Sequence, residues 1–361
     1  MDSGPIAGRD YPKNWRQFID RFGTDEGCLE WLSELRWADG FVCRSCGVVD
    51  RPRRATRDRR ICVHCRKSIT TTAGTVFEKT HTPLSVWFLS AWHFASSKQG
   101  LSALELQRTL GHADYETCWL ILHKFRAALS QAERQPLSGV VEIDETFIGG
   151  VERYGPRSSA VKGKHQGRGM ASKSIVVVAC EDVGTAIGRI RLGIVPDATY
   201  PSLAQFVTAN IAPGSTLRTD GFQGYKPFAR NGYQHSSIPV QGSGHQAHEL
   251  LPYVHRVASL LRRWLMATHQ GAVDARYLQA YLDEYVFRFN RRNSTHRGLV
   301  FYRLLEACLN TGPQPLHAIK RTPTPQLVAL QKRREAEKVA VRIAAEDYFD
   351  LTGEIEANPF F

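Results

Sequence analysis

The sequence predicts an α/β domain that follows a metal-stapled ribbon and a region of helices. Three observations support this order: two Cys-x-x-Cys pairs near the N-terminus, helical spacing of apolar residues after them, and then alternating strand patterns. With 361 residues, of which 42% are hydrophobic, the chain can bury a large core and form two or three domains. We predict N-terminal helices with the ribbon, a helix-turn-helix-like region, the α/β domain and a charged helical tail at residues 1–80, 81–138, 139–311 and 312–361.

The net charge of the chain indicates which classes of binding partner to expect. The formal net charge is +12 and the isoelectric point is near 9.4. Such a balance is unusual for a cytosolic metabolic enzyme but is expected where the partner is a polyanion, with nucleic acid the first candidate. A solvated basic surface is the alternative, so the motifs have to decide. The sequence shows no apolar leader and no run of about 18 uncharged apolar residues, and we therefore expect a cytoplasmic protein without a membrane partner.

The N-terminal region combines helices with a metal-binding pattern. Apolar spacing from Trp15 to Trp37 predicts a pair of helices, and the stretch 40–80 behind them is poor in aliphatic residues. Two cysteine pairs, separated by fifteen residues, are Cys43 with Cys46 and Cys62 with Cys65. This spacing brings four thiolates around a tetrahedral Zn²⁺, and the zinc is structural because all four positions are filled. A redox pair is the alternative.

Basic residues surround the two cysteine pairs. They are Arg51, Arg53, Arg54, Arg57, Arg59, Arg60, Arg66 and Lys67. In a chain with this net charge we interpret them as contacts to nucleic-acid phosphates, which give affinity rather than sequence choice. A solvated charged face remains the alternative.

The next segment has the pattern of a helical unit. Apolar residues from Pro83 to Gln131 recur at helical spacing and predict three helices. A short break from Gly111 to Tyr115 separates the second helix from the third, which matches helix-turn-helix proportions, although a plain helical bundle fits equally well. We hypothesise that the third helix reads bases through Lys124 and Arg126.

An acidic strand opens the α/β domain. Strand alternation places Glu142, Asp144 and Thr146 on one face, while the apolar residues between them point to the other. Carboxylates inside an apolar strand are costly to bury unless they bind a metal ion or form ion pairs. The strand therefore predicts a metal site or an ion-pair network.

Two later segments offer partners for this strand. Asp220 ends a strand before a glycine-rich turn, where a carboxylate can reach a cleft, and an Asx-turn that closes the strand is the alternative. His255 begins a helix on which Arg262, seven residues later, falls within about 20° of the same face. Taken alone, a histidine in such a place is more often structural than a ligand.

Four motifs carry a resemblance to a known family. They are V-E-I-D-E-T-F-I-G-G, L-R-T-D-G-F-x-G-Y, V-H-R-V-A-S-L-L-R-R-W-L-M-A-T-H-Q-G and Y-L-D-E-Y-V-F-R-F-N-R-R. They resemble the DDE-type, ISXO-like transposases of the zinc-ribbon bacterial insertion-sequence family related to eukaryotic Merlin elements, and the resemblance extends from about Gly40 to Arg297. It implies a ribonuclease H-like catalytic domain.

The resemblance also implies site residues and a reaction. Residue by residue, Asp144 and Asp220 match the first two catalytic acids. The third position falls on His255, where many members have Glu, and Arg262 stands where Lys is usual. Two Mg²⁺ or Mn²⁺ ions are implied, and the histidine leads us to expect a stronger preference for Mn²⁺. The implied reaction is strand cleavage at the terminal inverted repeats of an element, then strand transfer into target DNA, by a homo-oligomer.

Several alternatives stay open. Asp283 and Glu284 could supply a third carboxylate in place of His255, and the glycine-rich basic segment from Arg157 to Lys173 is either a DNA clamp or a plain insertion. A charged helix from Gln326 to Asp347 is interpreted as an appendage. The chain could also be a DNA-binding regulator without catalysis, or a nuclease or resolvase on the same fold.

Overall fold

The computed structural model shows three parts: a small ribbon, a helical unit and a five-stranded sheet with helices on both faces. The described residues are 4–50, 52–54, 58–111, 114–131, 135–149, 173–238, 247–271 and 273–320. Arg51, Arg57, residues 157–172 of the basic glycine-rich segment and the predicted C-terminal helix lie outside these ranges. Within them, no helix combines the length and the apolar character that crossing a membrane requires.

The elements follow one another closely along the described chain. Helices α1 to α11 span Trp15–Phe22, Asp25–Arg36, Leu84–Ser96, Ala103–Leu110, Tyr115–Gln131, Tyr200–Asn210, Ala247–Leu250, Pro252–His269, Leu278–Asn290, Arg297–Asn310 and Leu316–Lys320. Strands β1 to β8 span Arg53–Arg54, Arg59–Ile61, Ser68–Thr70, Val140–Ile148, Ser174–Asp182, Ile187–Val195, Thr216–Thr219 and Gln234–Ser237. A 3-10 helix covers Gln223–Arg230.

Local sequence explains where the N-terminal helices begin and end. Asn14, Thr24 and Ser102 start α1, α2 and α4, and each side chain accepts the backbone N–H of the residue three positions later. Helix α4 ends at Gly111, whose φ of +73° is the left-handed conformation that favours glycine. The predicted pair of leading helices, the three later helices and the break after Leu110 are confirmed.

Helices α1 to α5 share one apolar core with α10. Phe301 of α10 lies among their aromatic rings, with centroids 5.6 Å from Phe18, 5.9 Å from Trp31 and 5.7 Å from Phe88. Aromatic side chains bury large apolar areas and so dominate the energetics of such a core. The predicted domain limits remain a prediction, and this packing crosses two of them, because α1, α2 and α10 all contribute to the helical unit.

The basic residues of α5 face inward. Arg126 is only 2% exposed, and its Nε donates to Glu284 of α9 at 2.7 Å. Lys124 is half-buried, and its ammonium donates to the carbonyl of Val76 at 3.3 Å. The hypothesis that these two residues read bases is therefore wrong, because side chains committed to internal contacts cannot reach a base edge.

The ribbon is a three-stranded antiparallel sheet in the order β1-β2-β3. Its own apolar core is small and consists of Phe41, Ile69 and cysteines, with Trp37 packed against it. Arg60 of β2 donates to Ser33 of α2 at 3.1 Å and lies over the ring of Trp37 at 5.5 Å. These contacts dock the ribbon on α2.

The large sheet has the strand order β6-β5-β4-β7-β8. Strands β4, β5 and β6 form an antiparallel meander, while β7 is parallel to β4 and β8 is parallel to β7. Helices α8 and α9 cover one face, and α6 with the 3-10 helix covers the other. This order, with β4 in the centre, is the ribonuclease H-like arrangement, and it confirms the predicted α/β fold.

Strand register positions the acidic residues. Strands β4 and β7 pair in parallel from Val140 opposite Thr216 to Glu142 opposite Arg218. Asp144 and Asp220 each stand two residues beyond that last pair. Because the two strands run in the same direction, Asp144 in the middle of β4 and Asp220 just beyond the end of β7 lie at the same level along the sheet.

Replacing Glu284 with Gln is expected to lower the free energy of unfolding by ~3 kcal/mol, because the change leaves Arg126 and Arg288 without their counter-charge. Burial alone would raise the pKa of Glu284, but the charges of Arg126 and Arg288 outweigh it and lower that pKa. The stabilisation is therefore present above the unfolded-state pKa of the carboxyl and is lost as the pH falls through the folded-state pKa. Urea unfolding at neutral and acidic pH measures both effects.

Glu306→Gln is the matched control for this substitution. Glu306 pairs with Arg303 at 2.8 Å near the surface, and the loss of such a partly exposed pair is expected to change stability by less than ~1 kcal/mol. Equal losses for the two variants would contradict a special role of the buried pair.

Candidate active site

The ribbon gathers its four cysteines into one group. Cys43, Cys46, Cys62 and Cys65 have sulfur atoms that all lie within 4.8 Å of one another. In each knuckle turn a backbone N–H donates to the carbonyl of the first cysteine, from Gly47 to Cys43 at 2.8 Å and from Arg66 to Cys62 at 3.0 Å. Gly47 and Arg66 both have positive φ, +70° and +56°. The grouping predicted from the spacing is confirmed, and its donor set fits a closed tetrahedral zinc site.

Several basic side chains of the ribbon remain on its surface. Arg53, Arg59, Arg66 and Lys67 are exposed. Arg60 instead faces α2, as described above. Contact between the exposed residues and DNA phosphates remains a prediction.

The central strand β4 presents its polar face to helix α8. Glu142 is fully buried, and its Oε2 accepts the backbone N–H of Tyr253 at 2.8 Å and of Val254 at 3.2 Å. These N–H groups belong to the first turn of α8, where no helical carbonyl is available to them, and a carboxylate there also meets the positive end of the helix dipole. Glu142 therefore fixes the start of α8 on β4.

Two further contacts continue along the same face. Oδ2 of Asp144 lies 3.7 Å from Nε2 of His255, one residue after the segment that Glu142 holds. Arg262, two turns later, donates through Nη2 to the hydroxyl of Thr146. The predicted common face of the strand residues is confirmed, and so is the common face of His255 and Arg262 on α8.

Asp144 lies in a strongly acidic environment. Burial raises its pKa to about 7, and the negative charges of Glu145 and Asp220 act in the same direction. The backbone N–H of Glu145, which donates to Oδ1 of Asp144 at 2.8 Å, opposes the shift. A partly buried carboxyl beside two other carboxylates is an arrangement that a divalent cation would stabilise.

Asp220 and its turn complete this acidic group. Oδ1 of Asp220 accepts the backbone N–H of Phe222 at 3.0 Å, which is the Asx-turn considered as an alternative role. The hydroxyl of the buried Tyr225 donates to Oε1 of Glu145. Burial raises the pKa of Glu145, and the charge of Asp220 raises it further. The turn after β7 thus brings Asp220 close to the middle of β4, where its charge acts on Asp144 and Glu145.

The three predicted ligands approach one another without forming a closed set. Within the described ranges, the ribbon cysteines are the one group of three or more His, Cys, Asp or Glu side chains whose ligand atoms are close enough together to hold a metal ion. Asp144 contacts His255 directly and is affected by the charge of Asp220.

The alternative third ligand on α9 is engaged elsewhere. Glu284 is fully buried between Arg126 at 2.7 Å and Arg288 at 2.8 Å. Asp283 is 4% exposed and lies 3.4 Å from the amide nitrogen of Gln279 on the same helix. Glu284 therefore serves as an internal counter-charge between α5 and α9.

Two contributions were not foreseen from the sequence. Strand alternation predicts the face of Glu142 correctly, but the contact of Glu142 with the start of α8 joins residues more than 100 positions apart. Tyr225 stands in the glycine-rich motif after Asp220, and that motif was the signal that could have marked it. Its contact with Glu145 depends on how the turn folds back over β4.

Comparison with known proteins places the chain among transposases. Residues 136–290 match the ISXO2-like transposase domain, and residues 23–68 match the transposase zinc-ribbon domain. A protein of Halobacterium salinarum, described as an uncharacterized protein in transposable element ISH50, is 30% identical over 286 residues, which cover 75% of this chain and 94% of that protein.

Solved structures show only distant similarity. The catalytic core domain of BIV integrase is 14% identical with a TM-score of 0.28, and the match covers 55% of this chain and 99% of that one. The HTLV-2 integrase catalytic core domain in complex with magnesium is 13% identical with a TM-score of 0.26, covering 45% and 90%. Scores this low carry no weight for the fold, which rests on the observed strand order. The match to the Halobacterium protein, which covers 94% of that protein, and the two matching domains show that the chain belongs to the family of ISXO2-like transposases.

Proposed function

We propose that this transposase cleaves and joins DNA strands at a site formed by Asp144, Asp220 and His255, with two divalent metal ions. The observation that supports this best is the convergence of two carboxylates, one in the middle of β4 and one just beyond the end of β7, beside a histidine of α8. These elements lie within the stretch that matches the transposase domain.

The donor set fits divalent cations. The pKa of Asp144 is raised by burial and by adjacent carboxylates, so the acidic group is poorly neutralised by the protein itself. Asp144, Asp220 and His255 would hold these ions. When bound, the ions activate the attacking oxygen and stabilise the leaving oxygen of a phosphodiester. Carboxylate oxygens suit Mg²⁺ and Mn²⁺, and the imidazole favours Mn²⁺.

Arg262 would hold a DNA phosphate beside these ligands. Its contact with Thr146 fixes the guanidinium near the end of β4, and the remaining N–H groups of the fork stay able to bind an anion. A guanidinium can grip a phosphate with two parallel bonds, whereas lysine acts as a point charge.

The partners we propose are double-stranded DNA and further copies of the chain. The net charge of +12 supports a polyanionic partner. Terminal inverted repeats of an element and target DNA would be the two DNA substrates, and a homo-oligomer would bridge two element ends. In the ribbon, the cysteine group would hold a structural Zn²⁺, which adds to the stability that the small apolar core of this segment provides.

The decisive test is a reaction with labelled DNA that carries candidate element ends, in Mg²⁺ or Mn²⁺. Asp144→Asn is expected to reduce cleavage and joining by at least ~10³-fold, which corresponds to ~4 kcal/mol of lost transition-state stabilisation. Asp274→Asn is the matched control, because Asp274 pairs with Arg276 on the surface outside the site. Both products are separated on denaturing gels.

Each of the other outcomes of this experiment would contradict part of the proposed function. Specific binding without any reaction in either metal would favour a regulator that has lost catalysis. Cutting without a joined product would favour a nuclease or resolvase. Full activity of Asp144→Asn would overturn the proposed site.

The substitution His255→Glu is expected to raise the rate supported by Mg²⁺ by about tenfold relative to the rate supported by Mn²⁺, because a carboxylate is the harder ligand. The measurement is the ratio of the two initial cleavage rates. His296→Glu, at an exposed histidine before α10, controls for the added negative charge. An unchanged or lower ratio for His255→Glu would remove His255 from the ligand set.

Glu142 is expected to act through the start of α8. Glu142→Leu removes the acceptor of two N–H groups, and amide exchange at Tyr253 and Val254 should accelerate by about tenfold or more. Glu142→Gln keeps an acceptor oxygen and should show the smaller change. Exchange is followed by mass spectrometry on the peptide that begins α8. Identical exchange in both variants would mean that the contact does not hold the helix.

A further inference from the structure

We infer that a basic cleft between the helical unit and the catalytic domain binds the phosphate backbone of double-stranded DNA. The cleft has a volume of about 440 Å³ and is bounded by the end of α3 with the loop after it, one face of α8, the end of α9 and the start of α10. Its charged lining residues are Lys98, Arg263, Arg288, Arg292 and Arg297.

Convergence distinguishes this cleft from an ordinary charged helix face. The five cations come from three separated regions of the sequence, namely residue 98, residue 263 and the stretch 288–297, and no acidic residue of the described chain lines the cleft. Like charges that the fold brings together repel one another, and an arriving polyanion relieves that repulsion. A row of DNA phosphates is the polyanion that matches several cations along a groove.

Two of the cations build the wall, and three are available for binding. Arg288 donates to Glu284 and to the carbonyl of Ser97, and Arg292 donates to backbone carbonyls at the start of β6. Lys98, Arg263 and Arg297 make no ion pair within the described ranges. Lys98 and Arg263 are exposed, and Arg297 is half-buried.

The floor of the cleft is apolar and well packed. Trp264 lies 5.5 Å from Tyr285 between ring centroids, and Tyr285 lies 6.0 Å from Phe289. Such a floor supports the aliphatic stems of the arginines while their charged heads face the groove. The packed aromatic rings therefore support the charged side chains at the rim of the cleft.

Helix α8 connects the cleft to the catalytic site. Arg262 faces Thr146 on β4, and the next two residues, Arg263 and Trp264, line the cleft. A duplex that reaches the catalytic residues can therefore extend around α8 onto the helical unit. The inference takes DNA as the partner from the proposed function, but it requires no catalysis.

The test measures DNA affinity of the full chain as a function of salt, without added Mg²⁺ or Mn²⁺. A labelled duplex of arbitrary sequence serves as the probe, since phosphate contacts do not depend on sequence. Affinity for DNA falls as the salt concentration rises, so the slope of log affinity against log salt is negative. Arg263→Gln and Arg297→Gln should each reduce the magnitude of this slope by ~0.9, and the double variant should reduce it by ~1.8. Arg230→Gln is the control, because Arg230 is exposed on the 3-10 helix at the opposite face of the sheet.

The outcomes separate this inference from the proposed function. Slopes of smaller magnitude in the cleft variants, with an unchanged slope for Arg230→Gln and unchanged thermal unfolding, would establish the cleft as a backbone contact. Arg263→Lys should restore most of the slope, because it keeps the charge. A wild-type slope in the double variant would overturn the cleft alone, and failure of the wild-type chain to bind DNA would overturn both.

Discussion

The catalytic domain depends on a strand that buries carboxylates on one of its faces. A carboxylate inside a protein is tolerated only when other groups satisfy it, and β4 carries Glu142 and Asp144 two residues apart. Two backbone N–H groups of helix α8 donate to Glu142, and His255 of the same helix lies beside Asp144. The same contacts that make the buried charges acceptable therefore also set the distance between strand and helix.

The three parts of the chain are stabilised by different physical means. The ribbon has few apolar residues and relies on its four sulfur ligands, whereas the helical unit is filled with aromatic rings around Phe301. The helical unit meets the catalytic domain through Glu284, which two arginines hold in the interior. A buried ion pair adds little stability compared with apolar packing, but it disfavours any arrangement that separates its partners. It thus specifies how α5 and α9 meet.

Features encoded by short-range patterns could be predicted from the sequence. The cysteine spacing gave the ribbon, strand alternation gave the polar face of β4, and a separation of seven residues gave the shared face of His255 and Arg262. Long-range contacts could not be predicted in this way. In the sequence, Arg126 stands in an amphipathic helix, where an arginine is expected on the surface. Only its contact with Glu284 of α9 explains why it is buried. Helix α10 likewise gives no sign in its own sequence of which core it joins.

The parallel pairing of β4 with β7 determines how late in synthesis and folding the candidate site can form. Between these strands the polypeptide must complete β5, β6 and α6, and the histidine of α8 follows later still. Parallel pairing needs such long crossovers, and contacts between distant segments form late in folding. No part of the chain that stops short of α8 contains the complete set of acidic and histidine groups. If the proposed ligands are the catalytic ones, a growing polypeptide therefore carries all of them only after α8 has been synthesised.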